Sequence, residues 1–124
     1  MIMPLLKIEN LVKTYIVPRA FKKPLEVKAM RGVTLELGHA ETLAVVGESG
    51  CGKSTLAKVL LRIEAATSGN VEISGKSLTT IGSKELSKFV QMIFQDPYSS
   101  INPRKKIFDI IAEPLKIRGD SEEA

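Results

Sequence analysis

Gly47-Glu48-Ser49-Gly50-Cys51-Gly52-Lys53-Ser54, followed by Thr55, satisfies G-x-x-x-x-G-K-[ST] at every required position. Each residue type has a physical task. Glycines admit backbone conformations closed to other residues, so successive N–H groups can converge on phosphate oxygens. A helix expected to start near Ser54 aims the positive end of its dipole at the same point. Lys53 is placed to reach the β- and γ-phosphates as a compact charge, Ser54 to ligate Mg2+, and Thr55 to donate one more hydrogen bond. At ordinary residue frequencies, a chance match in a chain this short is about one in several hundred. The expected ligand is therefore a nucleoside triphosphate, Mg-ATP.

Cys51 lies inside the loop. A helix N-terminus can lower a thiol pKa, yet the simpler reading is a small side chain tolerated among glycines. As the single cysteine it can form no internal disulfide, in keeping with a reducing compartment. His39 is the only histidine and reads as a turn residue after Gly38.

Further elements must hold the loop in place. Leu5 to Tyr15 reads as a strand, and Ile16 to Glu26, with Pro18, Pro24 and several lysines, as a surface loop. Val33, Leu35 and Leu37 alternate as in a half-buried strand over Val27 to Leu37. Thr42 to Val46 is nearly all apolar, as expected of a strand buried on both faces just before the loop. After it, Leu56, Val59, Leu60 and Ile63 recur at helical spacing until Thr67-Ser68-Gly69. Asn70 to Ser74 then reads as a strand, with a turn at Gly75-Lys76. Ser83 to Phe89 reads as a short helix with Ser83 as N-cap, Val90 to Phe94 as a strand, and Ile107 to Leu115 as a helix stopped near Pro114. Alternating strands and helices after residue 41 predict a parallel α/β core preceded by antiparallel strands.

Composition sets bounds. With 124 residues, 44% hydrophobic and 26% charged, the chain is sized for one domain with a modest core. No apolar run is long enough to span a bilayer. Met1 to Lys7 lacks the pattern of a signal peptide, so the cytoplasm is the expected compartment. The net charge of +4 is dispersed, apart from Arg104-Lys105-Lys106 and Lys22-Lys23, and aromatics are only 5%. Nucleic acid is therefore not an expected partner.

Gln95-Asp96-Pro97 follows the segment Val90 to Phe94, where a glutamine at a strand end can reach toward a metal and a γ-phosphate as a neutral ligand or water positioner. Tyr15, at the end of the first strand, offers an aromatic face for adenine. Together these features resemble the nucleotide-binding subunits of ABC transporters. The resemblance runs through Ile8 to Tyr15, Gly32 to Leu35, Thr42 to Leu56, Ser68-Gly69 and Gln91 to Arg104. With Ile111-Ala112-Glu113-Pro114-Leu115, it looks like the dipeptide and oligopeptide importer subfamily.

The resemblance implies a phosphate-loop NTPase core, in part, with an N-terminal antiparallel β subdomain of ABC type. It implies Tyr15 as the adenine-stacking aromatic and Gln95 as the Q-loop glutamine, with ATP and Mg2+ as cofactors. The implied partners are a second nucleotide-binding subunit in a head-to-tail dimer and membrane permease subunits contacted near Tyr98 to Arg104. The implied location is the cytoplasmic face of the membrane. The signature motif, second acidic strand and switch histidine of the family are not in residues 1–124, which correspond to the N-terminal half of such a domain. The expectation is an ATP-hydrolysing importer subunit seen in part, with weak nucleotide binding and little turnover by the chain alone. The alternatives are an ABC ATPase serving nucleic-acid repair or translation, and a non-catalytic nucleotide-binding fragment.

Overall fold

Residues 3–119 are described by this computed structural model. The chain forms two compact units, divided after Ile81. In the first, β1 (Leu6–Arg19) and β2 (Lys22–Leu37) make a long antiparallel hairpin. β3 (Ser68–Ile73) pairs antiparallel with the other side of β1, and the two-residue β4 (Lys76–Ser77) closes the order β2-β1-β3-β4. β2 thus forms one edge of the sheet. Helix α1 (Lys53–Leu60) buries Leu56 and Val59.

Ile8 and Leu11 are both fully buried, although a regular strand sends residues three apart to opposite faces. The register shifts between them, and Asn10 takes φ 48. Asparagine tolerates that left-handed conformation better than most residues, and the Asn10 N–H donates to Thr34 Oγ1 at 2.9 Å. The irregularity returns Leu11 to the face where Ile8 already sits. Val71 and Ile73 of β3 complete that buried layer with Met30, Leu78 and Ile81. Ser74 (φ 50) and Gly75 (φ 75) supply the two positive φ values of a tight β3–β4 turn.

Several sequence expectations change. Ile16 to Glu26 is no loop: Ile16 pairs with Glu26, Val17 with Leu25 and Arg19 with Lys22, so the hairpin runs on to a turn at Ala20-Phe21. Pro18 and Pro24 break the periodicity, but the first lies at a register shift and the second on the edge strand, both positions that accept proline. Thr42 to Val46 is irregular, with Val46 87% exposed, and Val90 to Phe94 is irregular as well. A parallel strand buried on both faces needs a ladder on each side, and no described residue supplies one to either segment. The described sheet is therefore antiparallel only.

The second unit contains α2 (Ser83–Phe89), α3 (Pro97–Ser100) and α4 (Ile107–Arg118). Its N-cap on α2 is Gly82 rather than Ser83, whose side chain makes no capping bond; the Leu86 N–H closes the first turn on the Gly82 carbonyl at 2.8 Å. α4 runs through Pro114 and ends at Gly119 (φ 84), which receives the chain in the left-handed conformation. Proline removes one donor within the helix, whereas a left-handed glycine is a regular stop.

Candidate functional site

The phosphate loop joins the irregular segment 42–46 to α1. Gly50 (φ 81) and Gly52 (φ 101) are both left-handed and flank Cys51, the alternation that turns consecutive N–H groups toward one side. The first intrahelical bond of α1 is from Leu56 N–H to Gly52 O at 2.9 Å. The N–H groups of Lys53, Ser54 and Thr55 precede it, so the helix has no internal acceptor for them.

Lys53 folds back over this loop. Its ammonium donates to the carbonyls of Gly47 (2.7 Å) and Glu48 (2.6 Å) and to Cys51 Sγ (3.3 Å). One side chain thus ties the start of the loop to its end and holds a positive charge against it.

Gly52 also meets β2. A Cβ built on it would lie 2.3 Å from the Ala29 carbonyl oxygen, so this strand edge and the loop approach as only glycine allows. Beside the contact lies a cavity of about 490 Å³, lined by Lys28 to Arg31, Val33, Leu35, Val45, Val46, Gly50 to Lys53 and Leu56. The part played by Lys28 to Arg31 was invisible in the sequence, where charged residues interrupt the alternation and nothing signals a backbone contact. The strand-like apolar pattern that follows was the only cue that this stretch belongs to a sheet.

Tyr15 is half-buried on β1, opposite Val27, and does not line that cavity. Lys13 Nζ lies 4.8 Å from its ring centroid. Gln95 belongs to the second unit, exposed in a bend just before α3. Asp96 caps that helix: its Oδ1 accepts from the N–H groups of Tyr98 (3.0 Å) and Ser99 (3.4 Å), with Pro97 in the first turn. Asp followed by Pro is the composition of a helix start, the signal in the sequence that marks α3. Beyond α3, Asn102 Oδ1 accepts from Arg104 N–H at 3.0 Å, while Tyr98 stays 88% exposed.

Cys51 is exposed beside the lysine. Alkylating it places a bulky group where the ammonium and the loop carbonyls meet. Full modification with iodoacetamide is expected to lower affinity for a fluorescent ATP analogue at least tenfold, measured by anisotropy; undiminished affinity would remove Cys51 from the site.

A long bulged antiparallel sheet stands beside a glycine loop that opens a helix. Solved structures share this fold. The dimeric structure of MJ0796, a bacterial ABC transporter cassette, superposes with a TM-score of 0.72 at 22% identity, covering 96% of this chain and 50% of that one. A post-hydrolysis state of the ATP-binding cassette MJ0796 bound to ADP and Pi gives 0.69 at 23% identity, with coverage of 96% and 49%. The family model for the ABC transporter matches residues 30–123, and the chain belongs to that family.

Among curated relatives, the di/tripeptide transport ATP-binding protein DppF of Pseudomonas aeruginosa is 50% identical over 112 residues, covering 87% of this chain and 35% of the relative. The oligopeptide transport ATP-binding protein OppF of Haemophilus influenzae is 51% identical over 100 residues, with coverage of 78% and 30%. The chain spans about a third of the length of these relatives.

Proposed function

We propose that this chain is the phosphate-binding portion of an ATP-binding subunit that energises ABC-type import of peptides, or of related solutes such as nickel. The observation that carries the reading is the Lys53 ammonium held over a loop with two left-handed glycines at the start of α1. The names of the relatives, dipeptide and oligopeptide transport ATP-binding proteins, support peptide as the solute.

On this reading the amides from Gly47 to Gly52, Glu48, Ser49, Gly50 and Cys51 among them, cradle the phosphates. Lys53 exchanges its carbonyl partners for β- and γ-phosphate oxygens, and Thr55 adds a donor. Tyr15 takes the adenine. Ser54, exposed in the first turn of α1, would offer a hydroxyl to Mg2+, with Gln95 the other residue that would hold it. The donor set suits this ion: a serine hydroxyl and a glutamine carbonyl are hard oxygen donors, which Mg2+ takes alongside phosphate and water. When bound, the ion would supply neutralisation of the phosphate charge.

The subunit works as a head-to-tail dimer on the cytoplasmic face of the membrane. The dimeric form of the neighbouring cassette structures supports pairing. Tyr98 to Arg104, with Tyr98 and Ile101 exposed, is the surface offered to the permease. Among the described residues no helix is long and apolar enough to cross a membrane itself.

Competition binding tests the reading. ATP should displace a fluorescent ATP analogue at least tenfold more effectively than AMP, which keeps the base and ribose but lacks the β- and γ-phosphates. Equal displacement by the two would take the phosphate loop out of the binding reaction.

A further inference from the structure

Lys13 does two things at once. Its ammonium donates to the Ala65 carbonyl at 2.7 Å and pairs with Glu64 Oε2 at 3.1 Å, so that only 12% of its side chain is exposed. The same ammonium stands 4.8 Å from the centroid of the Tyr15 ring. Neighbouring bonds reinforce the anchorage. Thr67 N–H donates to the Val12 carbonyl at 2.8 Å, and Thr14 N–H to Thr67 Oγ1 at 2.9 Å. Residues 64–67 leave α1, the helix whose other end carries the phosphate loop. The strand bearing Tyr15 is therefore laced to the far end of that helix, and the lysine lies where lacing and ring meet.

We propose that Lys13 is a positioning residue for the nucleobase: it fixes the Tyr15 ring by a cation–π contact and registers that ring against the phosphate loop through Glu64 and Ala65. The inference rests on the reading of Tyr15 as the base contact. A tyrosine on a strand rotates about two side-chain bonds, and stacking a base on it costs the ordering of both. An ammonium held by a carboxylate and a carbonyl restricts the ring before the base arrives. It also draws the ring's π-electrons toward itself, leaving the opposite face better suited to an electron-rich purine. A surface lysine free to rotate does neither.

The experiment measures affinity of the chain and its variants for two ligands, ATP and inorganic triphosphate, the second engaging only the phosphate loop. Lys13→Met keeps an unbranched stem and removes the charge. It should weaken ATP about fivefold and leave triphosphate within twofold of the parent. Lys13→Arg, which keeps a cation over the ring, should recover most of the loss. Glu64→Gln, which removes the carboxylate anchor, should shift ATP in the same direction as Lys13→Met. Unchanged ATP affinity in Lys13→Met overturns the proposal, as does a parallel loss of both ligands, which marks a purely structural role. Tyr15→Ala separates the two levels. If it weakens ATP while Lys13→Met does not, Tyr15 remains the base contact and Lys13 has no part. If neither variant changes ATP affinity, the base contact itself lies elsewhere.

Discussion

Lys53→Ala should reduce affinity for a fluorescent ATP analogue by about a hundredfold or more. In the structure its ammonium has three partners, all within the loop it serves. Two are neutral carbonyls and one a thiol, so none offers the charge complement that a triphosphate brings. Hydrogen bonds between an ammonium and phosphate oxygens are charge-assisted, and each contributes about 1.5–3 kcal/mol. Losing two of them gives the hundredfold figure or more. Stability should change little, by about 1 kcal/mol, because the bonds given up link a partly exposed side chain to exposed backbone. Isothermal titration and a urea unfolding curve on one sample separate the effects. Retained nucleotide affinity with an intact fold would refute the assignment of the loop. Lys53→Arg should not rescue fully, since a planar fork cannot fill the place of a compact ammonium.

Gly52→Ala should be the more destructive change to the fold. The residue sits at φ 101, where an L side chain is strained. Its new Cβ would fall 2.3 Å from the Ala29 oxygen and 3.3 Å from the Ala29 carbon, both backbone atoms of β2. Neither a rotamer change nor a small side-chain shift relieves that contact. Strain and displacement together should cost on the order of 3 kcal/mol in unfolding free energy. Nucleotide binding should fall as well, because Gly52 precedes the helix turn that presents the Lys53, Ser54 and Thr55 amides. A urea midpoint matching that of the parent chain would show that loop and strand do not meet as described. Gly50→Ala makes a useful control: it shares the positive φ (81) but has nothing within 4 Å of its Cβ, so strain acts alone.

Much of the loop was legible because its chemistry is local. Eight consecutive residues carry the glycines, the ammonium and the hydroxyl, and the helix after them announces itself by the spacing of Leu56 and Val59. The hairpin was harder. Its tip carries two prolines, which usually punctuate chains, and only tertiary pairing shows that their missing donors fall where the ladder tolerates them. Leu11 eluded a period-two reading because the bulge at Asn10 resets the period. Thr42 to Val46 and Val90 to Phe94 have strand composition, but composition states a preference, and ladders require neighbours. Lys13 looked like any lysine in a strand. Its contacts with Glu64 and Ala65 span about fifty residues of chain, and no local pattern records such a pairing.

The border position of β2 carries a consequence for solution behaviour. Open strand margins invite copies of a protein to zip together into fibrils. Here the margin is interrupted by Pro24, which offers no donor, and is studded with Lys22, Lys23, Lys28 and Arg31. Where the backbone at Ala29 lies bare of such protection, Gly52 already occupies it. Two molecules approaching parallel and in register along this border would set Lys22, Lys23, Lys28 and Arg31 against their own copies. The same glycine that shapes the loop therefore also covers part of an open strand border.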